Sequence, residues 1–126
     1  MGAKKIVVNL NKQSVAAYDG GKVFHTCECV TGDAAHATPT GSIEIIRKHH
    51  PYTSKKYKVP MNYAMFFTKS GIALHQYHGP APWWMLQAMR SVTTAIGSHG
   101  CVRLQEDDAK KLYGWAAINT TVEVVL

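Results

Sequence analysis

The hexapeptide Ser98-His99-Gly100-Cys101-Val102-Arg103 sets a thiol beside a histidine, a glycine and an arginine. A thiol that merely fills a core needs none of these neighbours, whereas a nucleophilic thiol can use all of them. The thiolate is the attacking species, and an unperturbed cysteine, with a pKa of about 8.5, is mostly thiol at neutral pH. Lowering that pKa takes nearby positive charge or hydrogen bonds to the sulfur, which His99, Arg103 and a histidine from another strand can supply. Gly100 leaves the backbone amides unobstructed, as an oxyanion hole requires. The hexapeptide lies between a loop and a helix start, an arrangement that aims those amides outward at a substrate. On the residues alone, a catalytic cysteine and a buried structural thiol are evenly matched, because the partner base must be near in space rather than in the chain.

The other two of the three cysteines, Cys27 and Cys29 in HTCECV, lie two apart and share one face of a strand. A disulfide between them would close a very small, strained ring. With His25 they place three soft donors on one face, a possible metal corner. The familiar Cys-x-x-Cys spacing and a matching second half are both missing, so the two thiols read as structural and no metal site is assigned. The His49-His50 pair reads as solvated surface.

The elements that must position Cys101 belong to one domain, residues 1–126, large enough to bury a core without metals or disulfides. Strands are expected at KKIVVNL, SVAAYD and KVFHTCECVTG, the last two joined by the hairpin signal Asp19-Gly20-Gly21. A loop carrying Pro39 and Gly41 leads to a strand at SIEIIRK, and HHPYTSKKYKVP is a polar loop bounded by prolines. MNYAMFFT and GIALHQY form two strands around the Lys69-Ser70-Gly71 turn. The segment PAPWWMLQAMRSVTTAIG is an excursion in which WWMLQAM can make about two helical turns, read as a lid over a site. QEDDAKKLYGWA has acids before lysines, the order the helix macrodipole favours, and TTVEVVL closes the chain as a strand. The expected fold is mainly β: a mixed sandwich or barrel-like sheet of roughly seven or eight short strands with one clear helix near the C-terminus.

With 14 Lys+Arg against 8 Asp+Glu, the chain carries a net charge of +6, which favours anionic polymers such as an acidic cell wall. The lysines are scattered and there is neither an arginine-rich helix nor an aromatic RNA-binding strand, which argues against nucleic acid. No run approaches the roughly 18 apolar residues of a membrane span. MGAKK passes directly into the first strand without a secretory leader, so the sequence fits either a cytosolic protein or a trimmed mature form.

SHGCVRL resembles the signature of the L,D-transpeptidase catalytic domain, the YkuD-like family: a histidine, a variable gap, then Ser/Thr-His-Gly-Cys, one residue, and Arg or Asn. The similarity runs over nearly the whole chain. KKIVVNLNKQSVAAYDGGKVFHTCECVTG resembles the family's opening hairpin, ATPTGSIEI its Thr-Pro-x-Gly element, MNYAMFFTKSGIALH the strand pair before its histidine, and DDAKKLYGW with TTVEVVL its closing helix and strand. The resemblance implies that Cys101 is the acylated nucleophile and His75 the base that takes the thiol proton and returns it to the leaving amine. It implies that Ser98, His99 and Gly100 shape the pocket and oxyanion hole. Arg103 then holds the loop and is positioned to meet a substrate carboxylate. Tyr63 and the Trp83-Trp84 pair are candidates to wall the site, with core or lid packing an equal reading. Two departures stand out. Gln76 occupies a position where the family often has glycine, and the stretch from His75 to Ser98 is longer than the family's usual gap. His78, followed by Gly79, is a second candidate base; His75 is preferred because it directly ends the GIAL strand.

The implied activity is acyl transfer on peptidoglycan stem peptides, from a diaminopimelate–D-Ala bond through a thioester to an acceptor amine. It needs no metal or organic cofactor, and the resemblance also implies acylation by carbapenems. The implied place is the periplasm or cell wall, the expected partners are stem peptides, and the chain is expected to act as a monomer. The competing readings are an L,D-carboxypeptidase or other hydrolase of wall peptides, and a non-catalytic wall-binding module with the same fold.

Overall fold

The computed structural model describes residues 3–32, 38–55, 58–79, 81–89 and 100–126. Two sheets pack face to face over a shared core. The first has five strands, in the order β3-β2-β1-β9-β4: β1 (Lys4–Asn9), β2 (Ser14–Asp19), β3 (Lys22–Glu28), β4 (Gly41–Glu44) and β9 (Thr121–Val125). The second has four, in the order β5-β6-β7-β8: β5 (Arg47–His49), β6 (Ala64–Phe66), β7 (Ala73–Gln76) and β8 (Val102–Leu104). Two helices join them, α1 (Trp83–Met89) and α2 (Glu106–Trp115). None of the described helices is long and apolar enough to cross a membrane.

The mainly β expectation holds, with nine strands among the described residues. Two causes raise the count. SIEIIRK is not one strand: Ile45 donates its N–H to Thr120 beside β9, and Ile46 donates to Phe66 in β6, so the chain changes sheets between two adjacent residues. The residues after Cys101 also form a strand, β8, too short to declare itself in the sequence. The Asp19-Gly20-Gly21 signal is a tight hairpin, with Asp19 paired to Lys22 and φ of 63° and 88° at the two glycines. A two-residue turn that follows strand twist requires left-handed backbone at both central positions.

The main core lies between the sheets. Ile6, Val8, Val15, Val122 and Val124 of the first sheet meet Met65, Leu74, Val102 and Leu104 of the second, and α2 adds Ala109 and Leu112. β6, β7 and β8 of the second sheet are buried on both faces. Because side chains alternate along a strand, its other face carries a smaller cluster of Ala64, Phe66, Ala73 and Cys101, with Met61 from the loop before β6.

α2 has Glu106, Asp107 and Asp108 in its first turn but no basic residue in its last. Its C-terminal carbonyls are met from the strands instead. Lys48 of β5 donates to Tyr113 O and Ala116 O, both at 2.6 Å, and Lys4 of β1 donates to Trp115 O at 2.8 Å. The helix is thereby tied at one end to both sheets.

Candidate active site

β7 and β8 run parallel, with Leu74 opposite Val102, His75 opposite Arg103 and Gln76 opposite Leu104. A parallel pair needs a long crossover connection, which accounts for the stretch between His75 and Cys101 and for α1 within it. One step back in the same register sets Ala73 opposite Cys101. Ala73, His75, Cys101 and Arg103 therefore share the face of the second sheet that turns away from the main core. The small Ala73 side chain leaves room beside the sulfur, with His75 one diagonal step away.

Cys101 is 8% exposed and lines a cleft of about 380 Å³ whose walls include Arg47, Tyr52, Ser54, Phe66 and Gly71. Its thiol lies 3.8 Å from the Gly71 carbonyl, presented by a turn in which Gly71 has φ 104°. Burial pushes the Cys101 thiol up from its ordinary pKa, against the lowering pull of a backbone hydrogen bond from Ala73 and of the Arg103 charge. Arg103 supplies nearby positive charge of the kind expected from the sequence, but desolvation outweighs it.

His75 is buried, and burial lowers its pKa to about 4, with smaller contributions in the same direction from Arg103 and His78; the Gln76 backbone hydrogen bond opposes them. The imidazole is neutral at pH 7. Its Nδ1 lies 2.8 Å from the Gln76 carbonyl oxygen, which can only accept, so Nδ1 carries the proton and Nε2 is left as the basic nitrogen. The backbone of Gln76 thus orients the ring at the position where the family often has glycine. His78 lies beyond the strand end and is exposed.

Arg103 is only 5% exposed. It exchanges backbone hydrogen bonds with Val30, at 2.9 and 3.0 Å, and its guanidinium reaches the Val30 and Thr31 carbonyls at 3.4 and 3.3 Å. This geometry braces the strand behind Cys101, and a substrate carboxylate would have to reach a largely covered group. Gly100, just before the nucleophile candidate, has φ 100°. Its carbonyl accepts a 2.8 Å hydrogen bond from the Thr38 hydroxyl, which itself accepts from Gly32 N–H at 3.0 Å. Thr38 was not among the sequence candidates, although the Thr-Pro pair in ATPTG marks it.

Ser98 and His99 lie outside the described residues, as does half of the excursion that ends at Gly97. Trp84 sits on α1 and is 66% exposed. The Tyr63 ring stacks on His50 at 3.9 Å and meets Tyr113 edge-on at 5.7 Å, packing against the main core. The His50 ring, read from the sequence as solvated surface, also accepts the Tyr63 N–H at 3.1 Å. The cleft walls come instead from the 47–55 segment and the turn at Ser70–Gly71. The polar loop HHPYTSKKYKVP, which shows no periodic pattern in sequence, supplies Tyr52 and Ser54.

This architecture has known relatives. A structure of an L,D-transpeptidase (Yku) from Stackebrandtia nassauensis superposes with a TM-score of 0.82 at 34% identity, covering 98% of this chain and 56% of that one. The Ldtfm–avibactam carbamoyl enzyme superposes with a TM-score of 0.84 at 25% identity, covering 100% of this chain and 50% of that one. L,D-transpeptidase 1 of Mycobacterium tuberculosis is 26% identical over 131 aligned residues, covering 94% of this chain. The chain spans 49% of the length of that curated relative. The sequence model of the YkuD family, described as the L,D-transpeptidase catalytic domain, matches residues 3–124, and the chain belongs to that family.

Proposed function

We propose that this domain is a cysteine-dependent L,D-transpeptidase acting on peptidoglycan stem peptides outside the cytoplasmic membrane. The observation that carries the reading is the shared face of β7 and β8. A cleft-lining thiol at Cys101 stands one diagonal step from a neutral, carbonyl-oriented imidazole at His75. Substrate entry brings the scissile carbonyl to the sulfur, and His75 Nε2 takes the thiol proton as the S–C bond forms. The sulfur attacks the carbonyl at the L-centre of a diamino acid, and the C–N bond to the terminal D-alanine breaks. The departing amine takes the proton from the imidazolium, leaving a thioester on Cys101. An acceptor amine then attacks the thioester, gives its proton to His75, and leaves as a cross-linked amide while the thiol is restored. In this reading, backbone amides around Gly100 and Cys101 donate to the tetrahedral oxyanion. Arg103 braces the loop that presents the sulfur. The avibactam carbamoyl adduct of a relative with the same fold supports covalent acylation as the chemistry of this site.

Intact mass spectrometry after incubation with a carbapenem tests the reading, with wild type, Cys101→Ala and His75→Ala compared. A single adduct is expected on wild type, none on Cys101→Ala, and slower formation by roughly 100-fold or more on His75→Ala. A folded wild-type protein that gives no adduct would make the domain a wall-binding module or a hydrolase with a different pocket. Normal acylation of His75→Ala combined with failure of His78→Ala would move the base to His78.

A further inference from the structure

His25, Cys27 and Asp108 form a second cluster of reactive side chains, on the opposite sheet from Cys101. His25 pairs with Ala17 and Cys27 with Val15, so both follow the covered face of the first sheet. The register shifts between Ala17 and Tyr18, so Phe24 falls between two paired residues and stacks on Trp115 of α2 at 4.7 Å. Asp108, in the first turn of α2, then reaches His25 Nε2 at 2.8 Å. One imidazole nitrogen, one sulfur and one carboxylate oxygen lie within 4.8 Å of one another. Cys29, the third member of the sequence pattern, is fully buried in the main core. Asp108 joins His25 and Cys27 only through the packing of α2, which the spacing His25-x-Cys27-x-Cys29 does not encode.

We infer that His25, Cys27 and Asp108 form a structural site for a borderline-soft divalent cation of the Zn²⁺ class, with water as the fourth ligand. The donor set selects this class. Imidazole and thiolate suit Zn²⁺ and its neighbours, whereas Mg²⁺ and Ca²⁺ require oxygen donors. Zn–N, Zn–O and Zn–S bonds of about 2.0–2.3 Å set tetrahedral donors roughly 3.5 Å apart. The 2.8 Å His25–Asp108 contact would open to that spacing, and the sulfur already lies within 4.8 Å of both other donors. The His25 and Asp108 side chains are each 20% exposed, which gives an ion a path from solvent. Binding displaces the Cys27 proton to solvent, replacing the S–H bond with a metal–thiolate bond and leaving oxidation states unchanged. The ion would fasten the β3 edge strand to α2, the helix that packs against the strand carrying His75. The inference is independent of the acyl-transfer reading.

Metal binding to the Cys101→Ala protein tests it, since that background removes the cleft thiol as a competitor. Titration with Co²⁺ should give a sulfur-to-cobalt charge-transfer band that saturates at one equivalent and is displaced by Zn²⁺. Adding Cys27→Ser should abolish the band, and His25→Gln or Asp108→Asn should weaken binding at least tenfold. X-ray absorption of the Zn²⁺-loaded Cys101→Ala protein needs no further variant. It should show one sulfur at about 2.3 Å and the remaining donors at about 2.0 Å. Absence of the band, its survival in Cys27→Ser, unchanged affinity in Asp108→Asn, or a shell of nitrogen and oxygen alone would each overturn the site.

Discussion

His75 lies directly across the parallel β7/β8 pair from Arg103, so the residue that braces the Cys101 strand also presents its charge to the candidate base. The two influences can be separated by substitution. Arg103→Lys keeps the charge but loses the planar fork that reaches the Val30 and Thr31 carbonyls. Arg103→Met loses both. Acylation should slow by roughly 10- to 100-fold in either variant, through misplacement of the sulfur. In Arg103→Met alone, the acid limb of the pH–rate profile should also move to higher pH, because a charge that lowers the His75 pKa is gone. Superimposable pH profiles for the two variants would remove the electrostatic role.

The buried neutral state of His75 predicts a pH dependence of stability with a definite sign. The ordinary histidine value is 6.5 and the folded value is about 4. Between these limits the unfolded chain takes up a proton that the folded protein refuses. The stabilising contribution is therefore complete above pH 6.5 and drains away as the pH falls to 4, an amount on the order of 3 kcal/mol. Urea midpoints measured across this window should fall more steeply for wild type than for His75→Gln. Equal slopes would mean that the ring is not held neutral by burial.

Thr38 connects two backbone groups that flank the site, accepting from Gly32 N–H and donating to Gly100 O while only 3% exposed. Thr38→Val preserves the shape and removes both hydrogen bonds, a loss of about 1–3 kcal/mol. Acylation should slow with it, since Gly100 immediately precedes Cys101. Thr38→Ser should restore both stability and rate. A Val variant as stable and as fast as wild type would show that the bridge does not position the loop.

What could be read in advance follows the range of the forces involved. The Gly20-Gly21 hairpin, β2, the macrodipole order at the start of α2 and the thiol-histidine-glycine motif are local patterns, and each is legible in a few consecutive residues. The sheet switch between Ile45 and Ile46 was hidden because SIEIIRK alternates as a single strand would, and the partners that send its two halves to different sheets are far off in the chain. The cleft walls were hidden for a related reason. Tyr52 and Ser54 sit in a loop with no periodicity, Arg47 in a three-residue strand, and only the pairing of β5 with β6 and the folding back of the loop bring them into the wall of the cleft that Cys101 lines. Tyr63 and Trp84 drew attention as aromatics, but neither lines that cleft among the described residues. The depression of the His75 pKa and the rise of Cys101 depend on burial on the second face of a sheet, which no local spacing encodes.

Lys48 stands in for the basic last turn that α2 lacks. Its Nζ bonds two terminal carbonyls and lies 4.2 Å from the centre of the Tyr113 ring. Lys48→Met retains the aliphatic stem while removing the charge at the negative end of the helix dipole, a loss of about 1–2 kcal/mol. The urea midpoint should drop, and amide exchange at Trp115 and Ala116 should quicken more than at the helix start. Unchanged exchange at that end would mean that the helix is held by its apolar face alone.

Arg47 offers a test of what the cleft binds. Its guanidinium sits 4.2 Å above the Phe66 ring, in the wall of the cleft that Cys101 lines. Phe66 packs beneath it in the same small cluster as Cys101. An anionic stem peptide lying along this wall would gain from the charge before and during the reaction alike, so the contribution belongs to uniform binding rather than to the chemical step. Arg47→Gln should raise KM for a stem-peptide donor about fivefold, as an exposed ion pair worth roughly 1 kcal/mol implies, and leave kcat within about twofold. The difference between variant and wild type should shrink as salt is raised, because screening weakens an exposed charge but not a packing contact. A kcat loss with unchanged KM, insensitive to salt, would instead mean that Arg47 acts through the packing of Phe66 beside the sulfur.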